Sequence, residues 1–132
     1  MTAWVILFRG VGGATQLPTR PLREALTQAG FGQVRTYIHS GNAVLTSPLP
    51  HEEVVSTVAD VCAREFGFTK DVYALPKEEW ELLVERNPFP EAVVAPTSLH
   101  AAVLAAEPDP ARVAALRSLA EGDDRIEVVG HA

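Results

Sequence analysis

The stretch Val5-Ile6-Leu7-Phe8-Arg9-Gly10-Val11-Gly12-Gly13 decides how the rest of the chain is read. An apolar run suited to a buried strand stops at an arginine and passes into three glycines within four positions. A helix signal follows, with Thr19 as N-cap and Pro21 in the first turn. Strand, flexible loop and helix start therefore succeed one another. Glycines at such a junction let backbone amides approach a ligand closely, and a helix N-terminus adds partial positive charge, so the loop suits an anion.

Working outward, Ala3 to Arg9 is the first strand, apolar on both faces from Trp4 to Phe8, as a central strand covered on both sides would be. Leu22, Ala25, Leu26 and Ala29 form the stripe of a first helix that stops at Gly30. Gln33 to His39 and Asn42 to Ser47 read as two strands joined tightly through Ser40-Gly41, a β-hairpin. Pro48 and Pro50 lead into a second helix from about His51 to Phe66. Glu52 and Glu53 favour its N-terminus, Val54, Val58, Val61 and Cys62 share one face, and Gly67 ends it. A strand from Lys70 to Leu75 completes the order strand, helix, strand, strand, helix, strand. That order predicts an α+β fold whose N-terminal half, residues about 1–75, is a ferredoxin-like split βαβ arrangement.

Residues 76–132 repeat the alternation incompletely, which predicts a second α/β half packed against the first in a single compact unit. The expected elements are a helix from Pro76 to Arg86, a turn through Asn87-Pro88-Phe89-Pro90 and a strand from Ser98 to Ala106. A helix opened by Asp109-Pro110 follows, burying Val113, Leu116, Leu119 and Ala120 as far as Gly122, and then a strand from Arg125 to Val129.

Composition narrows the function classes. The chain has 132 residues, 47% of them hydrophobic, enough for one compact domain or two small halves. Its apolar runs are too short to span a bilayer, and Ala3 to Phe8 lacks the length and basic lead-in of a signal peptide, so the expected location is the cytoplasm and no membrane is expected as partner. A lone cysteine fits a reducing compartment. The net charge of -6 argues against nucleic acid as a partner. Within it, residues 1–50 carry four arginines against one glutamate, whereas the remainder holds seven basic and sixteen acidic side chains. Positive charge is concentrated around the glycine loop.

The run Leu7-Phe8-Arg9-Gly10, Gly12-Gly13, Pro18, Leu22-Arg23, Gly30-Phe31 and Val34-Arg35-Thr36-Tyr37-Ile38-His39-Ser40-Gly41-Asn42-Ala43-Val44 resembles the bacterial family called domain of unknown function 1697. Members open with a stretch similar to LLRGINVGG, continue to GF..V.TYIQSGNVVF, and later show NPFP and LH.AFL segments, met here at Asn87 to Pro90 and Leu99 to Leu104. The loop reads RGVGG rather than RGINVGG, two residues shorter. The resemblance implies tandem ferredoxin-like α+β halves and no established activity. Members run on through segments similar to LYLH.P.G.GRSKL and TRNW.T, before which this sequence stops; the expectation that follows is an uncovered sheet edge and a homodimer.

As a site, Arg9 with Gly10, Gly12 and Gly13 is the candidate holder of a phosphate or carboxylate, with Arg35, His39, Ser40 and Asn42 contributing if the hairpin lies beside the loop. The alternative is a glycine-rich turn with a structural arginine, since neither a Walker lysine nor GxGxxG spacing is present. His39-Ser40 is a poor acyl-transfer pair, because neighbours in a strand point to opposite faces. His39, His51, His100 and His131 lack metal-ligand spacing, so neither a metal nor another cofactor is expected. Cys62 reads as a small core residue, Trp80 with Leu83 and Val84 as core spacing, and Tyr37 as an isolated sheet aromatic. The function expected is a binding or assembly module with a small-anion site and no catalytic residues; the alternative is an enzyme acting on a phosphorylated or carboxylated small molecule.

Overall fold

The structure is a computed structural model and describes residues 1–13, 15–37 and 41–132. In chain order it contains β1 (Thr2–Phe8), α1 (Thr19–Gln28), β2 (Gly32–Thr36), β3 (Asn42–Ser47), α2 (His51–Phe66), β4 (Val72–Pro76), α3 (Lys77–Glu85) and α4 (Pro110–Arg117), with 3-10 turns at Pro90–Val94 and Pro96–Ser98. It divides into two compact units, Met1–Glu81 and Leu82–Ala132.

The first unit is built on a four-stranded sheet in the order β2-β3-β1-β4, every neighbouring pair antiparallel. Alternation along β1 sends Trp4, Ile6 and Phe8 into the core, where they meet Leu22 and Leu26 of α1 and Val54, Val58, Val61 and Cys62 of α2. Phe31 and Phe68 close the ends, Phe68 standing edge-on to Phe8 with ring centres 6.0 Å apart. Val5 and Leu7, on the other side of β1, are only half-buried, so cover on both sides, expected from the apolar run, holds fully for one face alone.

The two helices owe their limits to prolines and glycines. Pro50 accepts the N–H groups of Glu53 and Val54 and so starts α2, while Gly67 at φ 63° ends it, donating to Ala63. His51 donates from Nε2 to the Ala74 carbonyl at 3.1 Å, tying the start of α2 to β4. In α1 the cap differs from the one expected. Pro18, extended at φ -64°, is the N-cap, and its carbonyl accepts from Leu22 at 3.0 Å, which makes Thr19 the first helical residue instead of the cap. The two strands expected of the hairpin pair antiparallel, with Arg35 opposite Val44, Thr36 opposite Ala43 and a register irregularity between Gly32 and Arg35; the turn expected at Ser40-Gly41 includes Ser40, which lies outside the described residues. Its second strand begins at Asn42, its first runs Gly32–Thr36 within the described residues, and β4 starts at Val72 rather than at Lys70.

The second unit departs further. α4 is capped as expected, the Asp109 carboxylate accepting from Ala111 at 2.9 Å. It ends at Arg117, however, and buries none of its residues: Leu116 is 46% exposed and Leu119, beyond its end, 73%, while Val113 and Ala120 are only half-buried. α3 likewise buries none of its residues, so Trp80, Leu83 and Val84 are not core. Ser98 to Ala106 and Arg125 to Val129 are not strands. The reason is the lack of a ladder. Leu104 donates its N–H to the carbonyl of His131, beyond the second stretch, at 2.7 Å, and His131 Nδ1 donates back to the Leu104 carbonyl at 3.0 Å; one such point of contact does not make a sheet.

Candidate functional site

β1 ends at Phe8, and the chain then turns through three glycines that all need positive φ: Gly10 at 71°, Gly12 at 135° and Gly13 at 56°. Gly12 and Thr15 exchange backbone hydrogen bonds of 2.6 and 2.9 Å, closing the loop on itself, and Gln16 Nε2 donates to the Gly13 carbonyl at 2.7 Å. Arg9 is fixed at its base by Asp71. Its N–H donates to the Asp71 carbonyl at 3.0 Å, and its guanidinium Nη1 lies 3.3 Å from Asp71 Oδ2, with both side chains well exposed.

The hairpin does meet this loop. Gly41, at φ 75°, sits so close that a Cβ there would lie 2.9 Å from Val11 Cγ2 and 3.0 Å from the Phe8 carbonyl oxygen. Its own carbonyl accepts from the Phe8 N–H at 2.9 Å. Arg9, Gly10, Gly12, Gly13 and Asn42 are thereby gathered at one end of the sheet, Asn42 standing opposite Leu7. Arg35 is not among them. It is opposite Val44, which is opposite Val5, so it is separated from Arg9 by two strand spacings of about 4.8 Å and by roughly 13 Å along the strands. His39 and Ser40 lie outside the described residues.

Two residues absent from the sequence reading join the loop. Asp71 offsets the charge of Arg9, and the Lys70 stem passes 3.8 Å from where a Cβ of Gly10 would stand. Their place follows from topology: β4 runs antiparallel beside β1, so the residues just before β4 flank those just after β1.

A second feature lies on the sheet face away from α1 and α2. Val5, Leu7, Val44, Tyr37, Asn42 and Trp80 line an open, largely apolar groove of about 300 Å³. Tyr37 is 74% exposed and Val44 44%. Elsewhere, burial pushes the Cys62 thiol from 9.0 up to about 11, which leaves it protonated and inert at neutral pH. Among the described residues no three His, Cys, Asp or Glu side chains converge to hold a metal, and no helix is long and apolar enough to cross a membrane.

These features define a small α+β protein with a closed glycine loop at one end of its sheet and an open apolar face. The chain belongs to the family described as protein of unknown function DUF1697, whose model matches residues 1–132. Among solved structures it is similar to the conserved bacterial protein SP0830 from Streptococcus pneumoniae, with 25% sequence identity and a TM-score of 0.68 over 98% of this chain and 72% of that one. No curated protein matches the chain.

Proposed function

We propose that the chain is a cytoplasmic, non-catalytic binding module that takes a small anion at the Arg9 loop and assembles as a homodimer. The observation that carries the anion site is the close approach of Gly41 to Val11 and Phe8, which brings the hairpin end against the glycine loop. Arg9 supplies the guanidinium, Gly10, Gly12 and Gly13 supply backbone that a ligand can approach, and Asn42 flanks them; His39 and Ser40 adjoin in sequence. Asp71 acts as a stand-in, holding the guanidinium until an anion competes for it. The element order through β4 and the strand order β2-β3-β1-β4 support a ferredoxin-like reading of the first unit.

A thermal-shift screen of the chain with phosphate and small carboxylates tests the site. Ligand at a hundredfold over its dissociation constant stabilises by about 2.7 kcal/mol. Arg9→Ala should abolish that shift, and Asp71→Asn, by removing the competitor, should strengthen it. No shift with any anion would leave Arg9 a structural arginine and end the proposal.

Self-association has its own support. Among the described residues every buried one precedes residue 76, whereas Val93, Val94, Leu116 and Leu119 are exposed. Light scattering at micromolar concentration should give twice the chain mass, and a monomer there would contradict the homodimer.

A further inference from the structure

We propose that the open face of the sheet is a second binding site, for a small amphipathic carboxylate whose apolar body lies on Val5, Leu7 and Val44 between Tyr37 and Trp80 and whose carboxylate is held by Arg35. This goes beyond the Arg9 loop and does not depend on it.

The apolar part rests on the groove itself. Val5 and Val44 are directly paired across β1 and β3, Leu7 is two residues further along the same face, and the rings of Tyr37 and Trp80 contribute to the lining. A volume of about 300 Å³ is at the lower end of small-molecule sites, so it suits one ring or a short chain rather than a nucleotide cofactor.

The carboxylate part rests on Arg35. It stands directly opposite Val44 in the β2–β3 pair, which puts its side chain on the groove's face, at about 5 Å between Cβ atoms. Among the described residues Arg9, Arg20, Arg64, Arg117 and Arg125 each hold a carboxylate, and Arg23 holds Thr36. Arg35 is exposed and, like Arg86 and Arg112, has no such partner among them; of these three it is the one that stands in a strand of the sheet, opposite a residue that lines the groove. One unpaired guanidinium beside an apolar surface matches one carboxylate, whose two oxygens its fork can take together, better than it matches a doubly charged phosphate.

The test is a titration of the full chain with octanoate below its micellar concentration, followed by amide NMR signals of Val5, Leu7 and Val44 and the Trp80 indole signal. 1-Octanol and inorganic phosphate serve as the two half-ligands. Octanoate should move the groove signals and bind at least tenfold more tightly than octanol. Arg35→Gln should bring octanoate down to the affinity of octanol, with the thermal midpoint unchanged because Arg35 is exposed. Val44→Asp should weaken both ligands. Equal affinity for octanoate and octanol in the parent chain, no loss in Arg35→Gln, or octanoate shifts confined to Gly10–Gly13 would each overturn the proposal. Phosphate shifts at Gly10–Gly13 report on the Arg9 loop alone, so the two sites stand or fall separately.

Discussion

Residues 1–81 and residues 82–132 are similarly rich in apolar side chains, yet only the first set makes a core. In the first unit β1 has a paired strand on each side and two helices over one face, so Ile6, Leu26, Val54, Val58 and Cys62 are fully enclosed. In the second, eleven of the residues are alanine and Phe89 is the sole aromatic, so each side chain has little surface to contribute. What holds it is polar and largely exposed: Asn87 bonding the Phe89 backbone, Arg125 both 4.7 Å above the Phe89 ring and 3.0 Å from Glu91, and Arg117 paired with Glu127. Exposed pairs of this kind contribute about 0–1 kcal/mol each. Apolar content becomes stability only where elements are available to close over it.

The sharpest contrast comes from matched leucines. Leu26→Ala, which removes a fully enclosed side chain, should cost about 2–5 kcal/mol in urea denaturation. Leu119→Ala should change stability by no more than about 0.5 kcal/mol, because that side chain already faces water. Equal losses would break the contrast.

Alkali provides a second probe of the first unit. Cys62 has its pKa raised from 9.0 to about 11 by burial, so the folded chain holds the thiol proton more tightly than the unfolded one. The associated stability is complete below pH 9.0 and is lost as pH rises through about 11. The loss should be on the order of 2–3 kcal/mol. Comparing the pH dependence of the parent with Cys62→Ala isolates it; parallel curves would mean that the thiol is wet.

A smaller effect is expected at the junction of hairpin and loop. Gly41→Ala combines a positive φ of 75° with a clash at 2.9 Å on Val11, for about 1–3 kcal/mol. Chemical-shift changes should spread from Val11 to Phe8 and leave α4 untouched. If the variant is as stable as the parent, the close approach that supports the anion site is not present.

Much of the first unit was legible because its signals are local. Pro50, the glutamate pair at Glu52 and Glu53, the valine stripe and Gly67 delimit α2 to the residue, and the alternation at Val34, Thr36 and Asn42 to Ser47 marks the two hairpin strands, though not their register. Arg9 at a strand end beside glycines could be read directly, whereas its partner Asp71 could not, being 62 residues away and brought near only by strand order. The strands expected at Ser98 to Ala106 and Arg125 to Val129 failed for the same reason inverted. Their composition suits extended chain, but a strand exists only with a neighbour, and no local pattern reveals that the neighbour is missing.

Hydrogen exchange by mass spectrometry on the full chain in dilute solution tests the division most directly. Amides of β1, β3 and α2 should open only with global unfolding, while those of α4 should exchange by local opening, orders of magnitude faster. Raising the protein concentration should slow α4 as copies associate. Protection of α4 equal to that of α2 in the dilute monomer would contradict the claim that the first unit alone carries the core.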